Sequence, residues 1–460
     1  MLIRRVSTVL TLLAATALAA PALHGQTDRA TLVRTLDSLV ADPVREGRAA
    51  GISVAVVRGS DTLLLKGYGK ADLELDVPTP DGAVYAIGSV TKQFTAAAIL
   101  QLRDAGKLDL DADITTYLPD FPTQGHRVTV RRLLDHTSGI KGLTEVPEFR
   151  TLYTSDFPRD SGLALIARQP FDFAPGEAMI YNNSGFWLLG LIVEKVSGMS
   201  YEDYVEQQIF APLGMTSSRY CDQLEVTPRR VHGYQMRAGE TRRASYFHYK
   251  WPYAAGSLCS SAGDMVTWLH ALHGGKVLSP RSYAEMTTAA TLADGTPLRY
   301  AMGVAVGQDL RGQTLIGHGG AIEGFVAYAG WYPDAELAVV VLINSQGPVS
   351  PQAIAAELAA EILPGQRQTA RPFTGDAAPL VGRYIGPSRG REMVVEITQS
   401  AEGLTASING GASQPLPWVK GWAFRPGSSI LTFTREDNSG PATLLRFDQG
   451  GGYYMLRRQP

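Results

Sequence analysis

The sequence has no excess of charge of either sign. Its 42 basic and 44 acidic residues give a formal charge of -2 and a pI near 6.5. No run of Lys or Arg occurs. The electrostatic footprint that draws a protein to nucleic acid or to an anionic membrane surface is therefore missing. Beyond the N-terminus, no stretch is long and apolar enough to span a bilayer. No His-Glu-x-x-His zinc pattern is present. His270 and His273 share a predicted helix without an acidic neighbour, which points to packing or surface rather than metal. Internal repeats and low-complexity tracts are absent as well. Cysteine is scarce: Cys221 and Cys259 are the only two. In an oxidising compartment they can bridge, closing a loop of about 40 residues and adding roughly 3–4 kcal/mol by loop entropy. The other reading is a pair of buried thiols.

What is present begins with an export signal. Arg4 and Arg5 precede an uncharged apolar run from Val6 to Leu23, and Ala17, Ala19, Ala20, Ala22 and Gly25 supply small residues at its end. This predicts a secretory signal peptide over residues 1–25, cleaved between Ala19 and Gln26, and hence a periplasmic or secreted protein with no transmembrane segment after cleavage. An uncleaved anchor is the competing reading. No Cys lies near that end, which argues against a lipid-anchored form.

The length of 460 residues predicts two or three domains. Periodicity predicts a helix over 28–46, strands over 51–58 and 62–68, and a strong helix over 89–104. Shorter helices follow at 129–135, 159–168, 184–196, 200–209 and 263–273. Strand character returns at 300–306, 314–318, 324–332 and 337–344, before a helix at 350–363. Strands at both ends with helices between predict an α/β fold of the α+β kind. Its mostly antiparallel sheet is assembled from the two ends of residues 28–363, beside a helical insertion. Residues 364–379 read as a linker. Residues 380–460 show short strands separated by Gly, Ser and Asn, as in a small β-barrel or sandwich. That part holds no His and no Cys, so a binding, packing or lid role is expected for it.

Three strings invite nucleophilic chemistry. Gly386-Pro387-Ser388-Arg389-Gly390 spells a nucleophile elbow, but it lies between two short strands and holds a Pro, so it reads as a hairpin turn. Ser-x-x-Lys occurs twice, as Ser89-Val90-Thr91-Lys92 and Ser138-Gly139-Ile140-Lys141. On a helix, positions i and i+3 share a face, so a hydroxyl and an amine can meet. Ser89 opens a helix whose buried side is Val90, Phe94, Ala97 and Leu100. The helix start brings N–H groups useful to an oxyanion, and burial would lower the lysine pKa toward a usable base. Ser138 precedes Gly139 in a turn that would not hold such spacing. Helix capping by Ser89 is the plain alternative.

Other segments favour chemistry. Ser89-Val90-Thr91-Lys92-Gln93-Phe94 resembles the first motif of serine β-lactamase-related proteins, in particular the class C and D-alanyl-D-alanine carboxypeptidase branch. Leu133-Leu134-Asp135-His136-Thr137-Ser138-Gly139 is similar to that family's LLxHTSG stretch. Pro175-Gly176-Glu177, with Tyr181-Asn182-Asn183, is similar to its PGxxxxYxN segment, and His318-Gly319-Gly320 stands at the strand-borne third motif. The resemblance spans roughly residues 30 to 362, and the tail resembles a lipocalin-like β domain. It implies a β-lactamase/transpeptidase-like fold and an acyl-enzyme on Ser89, with Lys92 taking the proton or lowering the pKa of its neighbour and Tyr181 passing the proton to the leaving group. It also implies that Asn183 holds Lys92 or substrate, and that the backbone N–H groups of Ser89 and Ala321 form the oxyanion hole beside Gly320. No metal or organic cofactor is implied, and the partner is a small-molecule or peptide substrate with an ester or amide bond. One position departs. The family's third motif carries a Lys that can hold a substrate carboxylate, and here it is His318. An esterase or peptidase is therefore expected over a β-lactamase or a carboxypeptidase. A non-catalytic cell-wall or ligand binder is the remaining alternative. The aromatic run 246–253 rims the acyl pocket or packs the core. His136 and Ser138 are expected to be structural.

Overall fold

A computed structural model describes residues 20–460 except 157, 238, 310, 366–370, 390, 428, 436–439 and 450–451, with backbone alone for 20–27, 150 and 452. The expected signal peptide falls mostly on residues 1–19, outside the described residues. Helix α1 (Ala20–Arg45) begins eight residues ahead of its expected start and runs through the region of expected cleavage.

Beyond α1 the chain forms the hairpin β1 (Gly51–Arg58) and β2 (Asp61–Asp72). Helix α2 (Thr91–Asp104) follows, then α3 (Asn183–Ser197) and α4 (Ala262–His273). The chain then returns as β3 (Ala305–Gln308), β4 (Thr314–Ile322), β5 (Phe325–Tyr332) and β6 (Leu337–Ile343), closed by α5 (Pro351–Ile362). Among the described residues these strands make one antiparallel sheet, in the order β3-β4-β5-β6-β1-β2 and then the short strand Val77–Pro78. The first and last parts of the segment meet at β1 and β6, with Val54 opposite Val341.

The middle of the sheet is buried on both faces, which explains why β6 is apolar without interruption and why Ser53, the polar side chain inside β1, is bonded to the Tyr85 hydroxyl. Side chains alternate across a strand. Val339, Val341 and Ile343 join Leu36 and Val40 of α1 and Leu358 of α5 in one core. Ala338, Val340 and Leu342 join α2 and α4 in the other. Helix α2 was expected to bury one stripe. It buries Ala96, Ala98 and Ile99 as well, because helices cover it opposite the sheet. Enclosure on all sides hides its polar residues too: Thr91, Lys92, Gln93 and Thr95 are buried.

Two local expectations change. The strand expected at 300–306 is confined to its end. Gly303 adopts a positive φ of 74°, and the N–H of Ala301 donates to the Val304 carbonyl, so 301–304 is a turn. A helix at Pro280–Thr287 was not expected, since only Ser282 and Met286 of it are buried and its apolar signal is weak.

The C-terminal unit is a curled antiparallel sheet. Its first hairpin is β7 (Gly382–Ser388) with β8 (Arg391–Ser400), and its last strand is β9 (Gly452–Arg458). Leu404 and Phe424 come from strands near opposite edges of the sheet yet share one core with Tyr384 and Leu456, so the sheet wraps around it. Phe373 and Ala377, inside the expected linker, pack into that core. The unit is stitched to the first one: β9 extends through Met179–Ile180, with Gly452 opposite Ile180. Ion pairs Arg299–Asp448 and Arg446–Asp294 add to the junction. No described helix is long and apolar enough to cross a membrane.

Candidate active site

Ser89 lies in a short 3-10 turn, Gly88–Val90, that feeds α2, and no side chain caps either start. The capping role open to Ser89 is therefore not used. Its Oγ instead stands within hydrogen-bond reach of Lys92 Nζ, at 3.2 Å. Lys92 is fully buried. Its Nζ also donates to Asn183 Oδ1 and to the Ala255 carbonyl, each at 2.8 Å. Burial, followed by the charge of Arg389, holds the Lys92 amine well below the ordinary lysine range.

Asn183 reaches Lys92 because its neighbour anchors the helix. Asn182 Oδ1 caps α3 by accepting from the Gly185 N–H at 2.8 Å. The two segments upstream are laced together: the Gly176 N–H donates to the Thr137 carbonyl and the Ile180 N–H to that of His136. Gly139 has φ of 77° and sits hard against the Phe173 carbonyl, a conformation and a closeness that a side chain would forbid. His136 Nδ1 accepts from the Asn182 N–H at 3.1 Å. Its ring wedges between Tyr181 and Tyr300, 4.4 and 4.7 Å away between centroids. This is a positioning role. Ser138 and Lys141 do not meet: Ser138 Oγ accepts from the Ile140 N–H, and Lys141 pairs with Asp172.

The Tyr181 ring stacks under Lys92 Nζ, 4.7 Å from its centroid. Its enclosed hydroxyl has no hydrogen-bond partner among the described residues. Burial pushes its pKa upward, tempered by Ser89 and Arg389, so the phenol keeps its proton. His318 is buried on β4. Its Nδ1–H serves the Gly319 carbonyl, which leaves Nε2 to accept from the Tyr300 hydroxyl at 2.9 Å. Burial, followed by the charge of Lys92, brings its pKa down to about 3. It is neutral at any ordinary pH and supplies no positive charge.

The turn before α2 lies against β4. A Cβ on Gly320 would strike the Ile87 carbonyl and stand 3.2 Å from Ser89 N, and one on Gly88 would stand 2.8 Å from Ala321 N. Glycine at both places lets the Ser89 and Ala321 backbones share one corner. A cleft of about 600 Å³ opens there, lined by Ser89, Tyr181, Asn183, His318, Gly320 and Ala321, with Arg299 and Arg389 on its walls. The site residues expected from sequence thus stand together, apart from the two cysteines. Cys221 and Cys259 form a disulfide outside the cleft, with Cα atoms 5.3 Å apart. The aromatic run packs the core: Trp251 and Tyr253 are buried and Tyr246 alone is exposed. His270 and His273 pack against Trp331. Sequence reasoning missed three contributors: the Ala255 carbonyl, Tyr300 and Arg389. The first is backbone and carries no residue signal. Arg389 sits in the hairpin string that had been set aside as a turn.

PbpX of Bacillus subtilis (strain 168) is 34% identical over 251 residues, which cover 55% of this chain and 61% of PbpX. The chain thus spans about three fifths of that relative's length. The D-amino acid amidase from Ochrobactrum anthropi SV3, solved with L-phenylalanine, is 27% identical with a TM-score of 0.63, over 72% of this chain and 98% of its own. A solved structure of SurE is 25% identical with a TM-score of 0.68, and covers 95% of this chain and all of its own. The Beta-lactamase family matches residues 36–363, from α1 to the helix that closes the sheet, and the chain belongs to that family.

Proposed function

We propose that the protein is an exported serine hydrolase that cleaves an ester or amide through an acyl-enzyme on Ser89. One observation carries this reading: the three partners of Lys92. A neutral amine has two hydrogens and one lone pair. Asn183 Oδ1 and the Ala255 carbonyl can only accept, so they take the two hydrogens. The lone pair is left facing Ser89 Oγ, as a general base needs. When Ser89 attacks a carbonyl, its proton passes to Lys92. The resulting ammonium is held by the same two oxygens and by the Tyr181 and Phe186 rings. Tyr181, kept protonated by burial, gives its proton to the leaving group and is recharged by Lys92. The Ser89 and Ala321 N–H groups receive the oxyanion. Water then releases the acyl group.

The likeness to a D-amino acid amidase makes amino acid amides the first amide substrates to try. Export is supported by the charge and apolar pattern before Gln26 and by the disulfide. Labelling intact protein with a fluorophosphonate and mapping the adduct tests the chemistry. The adduct is expected on Ser89 and absent in Ser89→Ala. No adduct, or undiminished ester hydrolysis by Ser89→Ala, would sink the reading. An unprocessed N-terminus on protein recovered from the cytoplasm would count against export.

A further inference from the structure

The cleft in front of Ser89 is electrostatically one-sided. Its described lining contains no Asp or Glu, but it contains Arg299 and Arg389. The counter-charge of each arginine lies outside that lining, on Asp448 and Glu145. The two arginines are held differently. Arg299 grips both the carboxylate and the carbonyl of Asp448 across the junction of the two units. Arg389 gives only its Nε, at 3.0 Å to Glu145 Oε1. Its terminal nitrogens make no hydrogen bond to a described residue, and 42% of its side chain is exposed. One edge of the guanidinium fork is thus spent and the other is left without a hydrogen bond to a described residue, on a side chain that lines the cleft, which suits a two-point pairing with a carboxylate.

Position adds to charge. Arg389 belongs to the C-terminal unit, at the end of β7, where Ser388 is paired with Arg391 across the hairpin. The guanidinium stands over the Tyr181 ring, 5.4 Å from its centroid. Tyr181 is the group that meets the departing portion of the substrate, on the reading above. The third motif on β4 offers no cation, since His318 is neutral and committed to Tyr300 and Gly319.

We propose that Arg389, carried into the cleft by the C-terminal β unit, binds a carboxylate on the leaving portion of the substrate, so that the preferred ester or amide is anionic. This rests on Ser89 being the nucleophile. It gives the β unit a part in substrate choice, and it supplies from another direction the cation missing at position 318. Arg389 is a binding residue here, and its effect belongs mainly in KM.

Two acetate esters test it, 4-acetoxybenzoate and 4-acetoxybenzamide, whose leaving groups differ in charge. The difference in their intrinsic reactivity cancels when the ratio of kcat/KM values is compared between variants. The anionic-to-neutral ratio is expected to fall tenfold or more in Arg389→Gln, to recover in part in Arg389→Lys and to fall further in Arg389→Glu. An unchanged ratio, or an equal loss on both esters, overturns the proposal. A loss confined to phenyl hydrogen succinate, with its carboxylate on the acyl side, overturns the leaving-group assignment. Arg389 is exposed at the rim, and a melting curve checks that each variant folds. Fluorophosphonate labelling separates the two levels. Labelling of Ser89 with an unchanged ratio sinks this inference alone, whereas no labelling sinks the nucleophile reading and this inference with it. Should Ser89 label without turnover of either ester, 4-hydroxybenzoate is expected to protect it better than 4-hydroxybenzamide. That preference should be lost in Arg389→Gln, and equal protection overturns the proposal.

Discussion

Ser89 and Lys92 stand within hydrogen-bond reach of each other, while Ser138 and Lys141, three residues apart in the same way, spend their bonds elsewhere. Both pairs belong to the same cluster of segments around Tyr181. The difference is in the backbone beneath them and in what surrounds the amine. Ser89 leads directly into a regular helix, which fixes the i, i+3 geometry, and Lys92 is sealed among two oxygens and two rings. The Ser138 segment has no helical repeat, since Gly139 turns the chain against Phe173. Lys141 finds a carboxylate, on the part-buried Asp172. Environment, not spacing, decides which lysine can become a base: burial without an acid drives the Lys92 amine toward neutrality, whereas Lys141 is committed to Asp172.

That contrast can be broken most severely at the serines. Ser89→Ala should lower kcat by about a thousandfold or more, and Ser138→Ala should leave it within about twofold. Steady-state turnover of a p-nitrophenyl ester measures both. Tyr181→Phe keeps the ring under Lys92 and removes only the hydroxyl. It should cost about a hundredfold in kcat with little change in melting temperature.

The acid limb of the pH–rate profile sharpens the contrast further. Lys92 must be neutral to accept the Ser89 proton, so activity rises with pH as it deprotonates. A nearby positive charge disfavours the ammonium, and Arg389 supplies one. Taking that charge away in Arg389→Gln raises the Lys92 pKa and should move the limb to higher pH. Of the other groups around the amine, His318 is neutral above about 3. His136 is held well below its usual range by burial, and Tyr181 is held above its own. The limb therefore belongs to Lys92 and should persist in His318→Gln. A limb that vanished with His318 would reassign the base.

Much of this arrangement was legible in the residues. Lys92, Tyr181 and Asn183 are side chains in ordered motifs, and the apolar strands at the two ends of the segment announced the sheet. Contributions made by backbone or by a remote part of the chain left no such mark. The Ala255 carbonyl has no sequence signature. Tyr300 hid in a stretch that resembled a strand, until Gly303 turned it. Arg389 is separated from Lys92 by almost three hundred positions, and the pairing of β9 with Met179–Ile180, with the ion pairs at the junction, brings the β unit to the cleft. The short helix Pro280–Thr287 was missed because its periodic burial is too slight to read.

The smallest expected effect lies on the second lysine. Lys141 and Asp172 retain 22% and 13% exposure, so their ion pair is only partly withdrawn from water. Lys141→Met removes the charge and keeps most of the apolar stem. The cost to stability should be about 1 kcal/mol or less, because Asp172 can turn toward solvent in place of its partner. Changing Asp172→Asn in the same chain removes the stranded charge, and should return part of that cost. A thermal melt of the single and double variants measures this coupling. Ester turnover should follow the wild type in both, since the loop they close is held independently by Thr137–Gly176 and His136–Ile180 hydrogen bonds. If Lys141→Met instead lost activity on the scale of Lys92→Met, the two Ser-x-x-Lys strings could not be told apart by their surroundings.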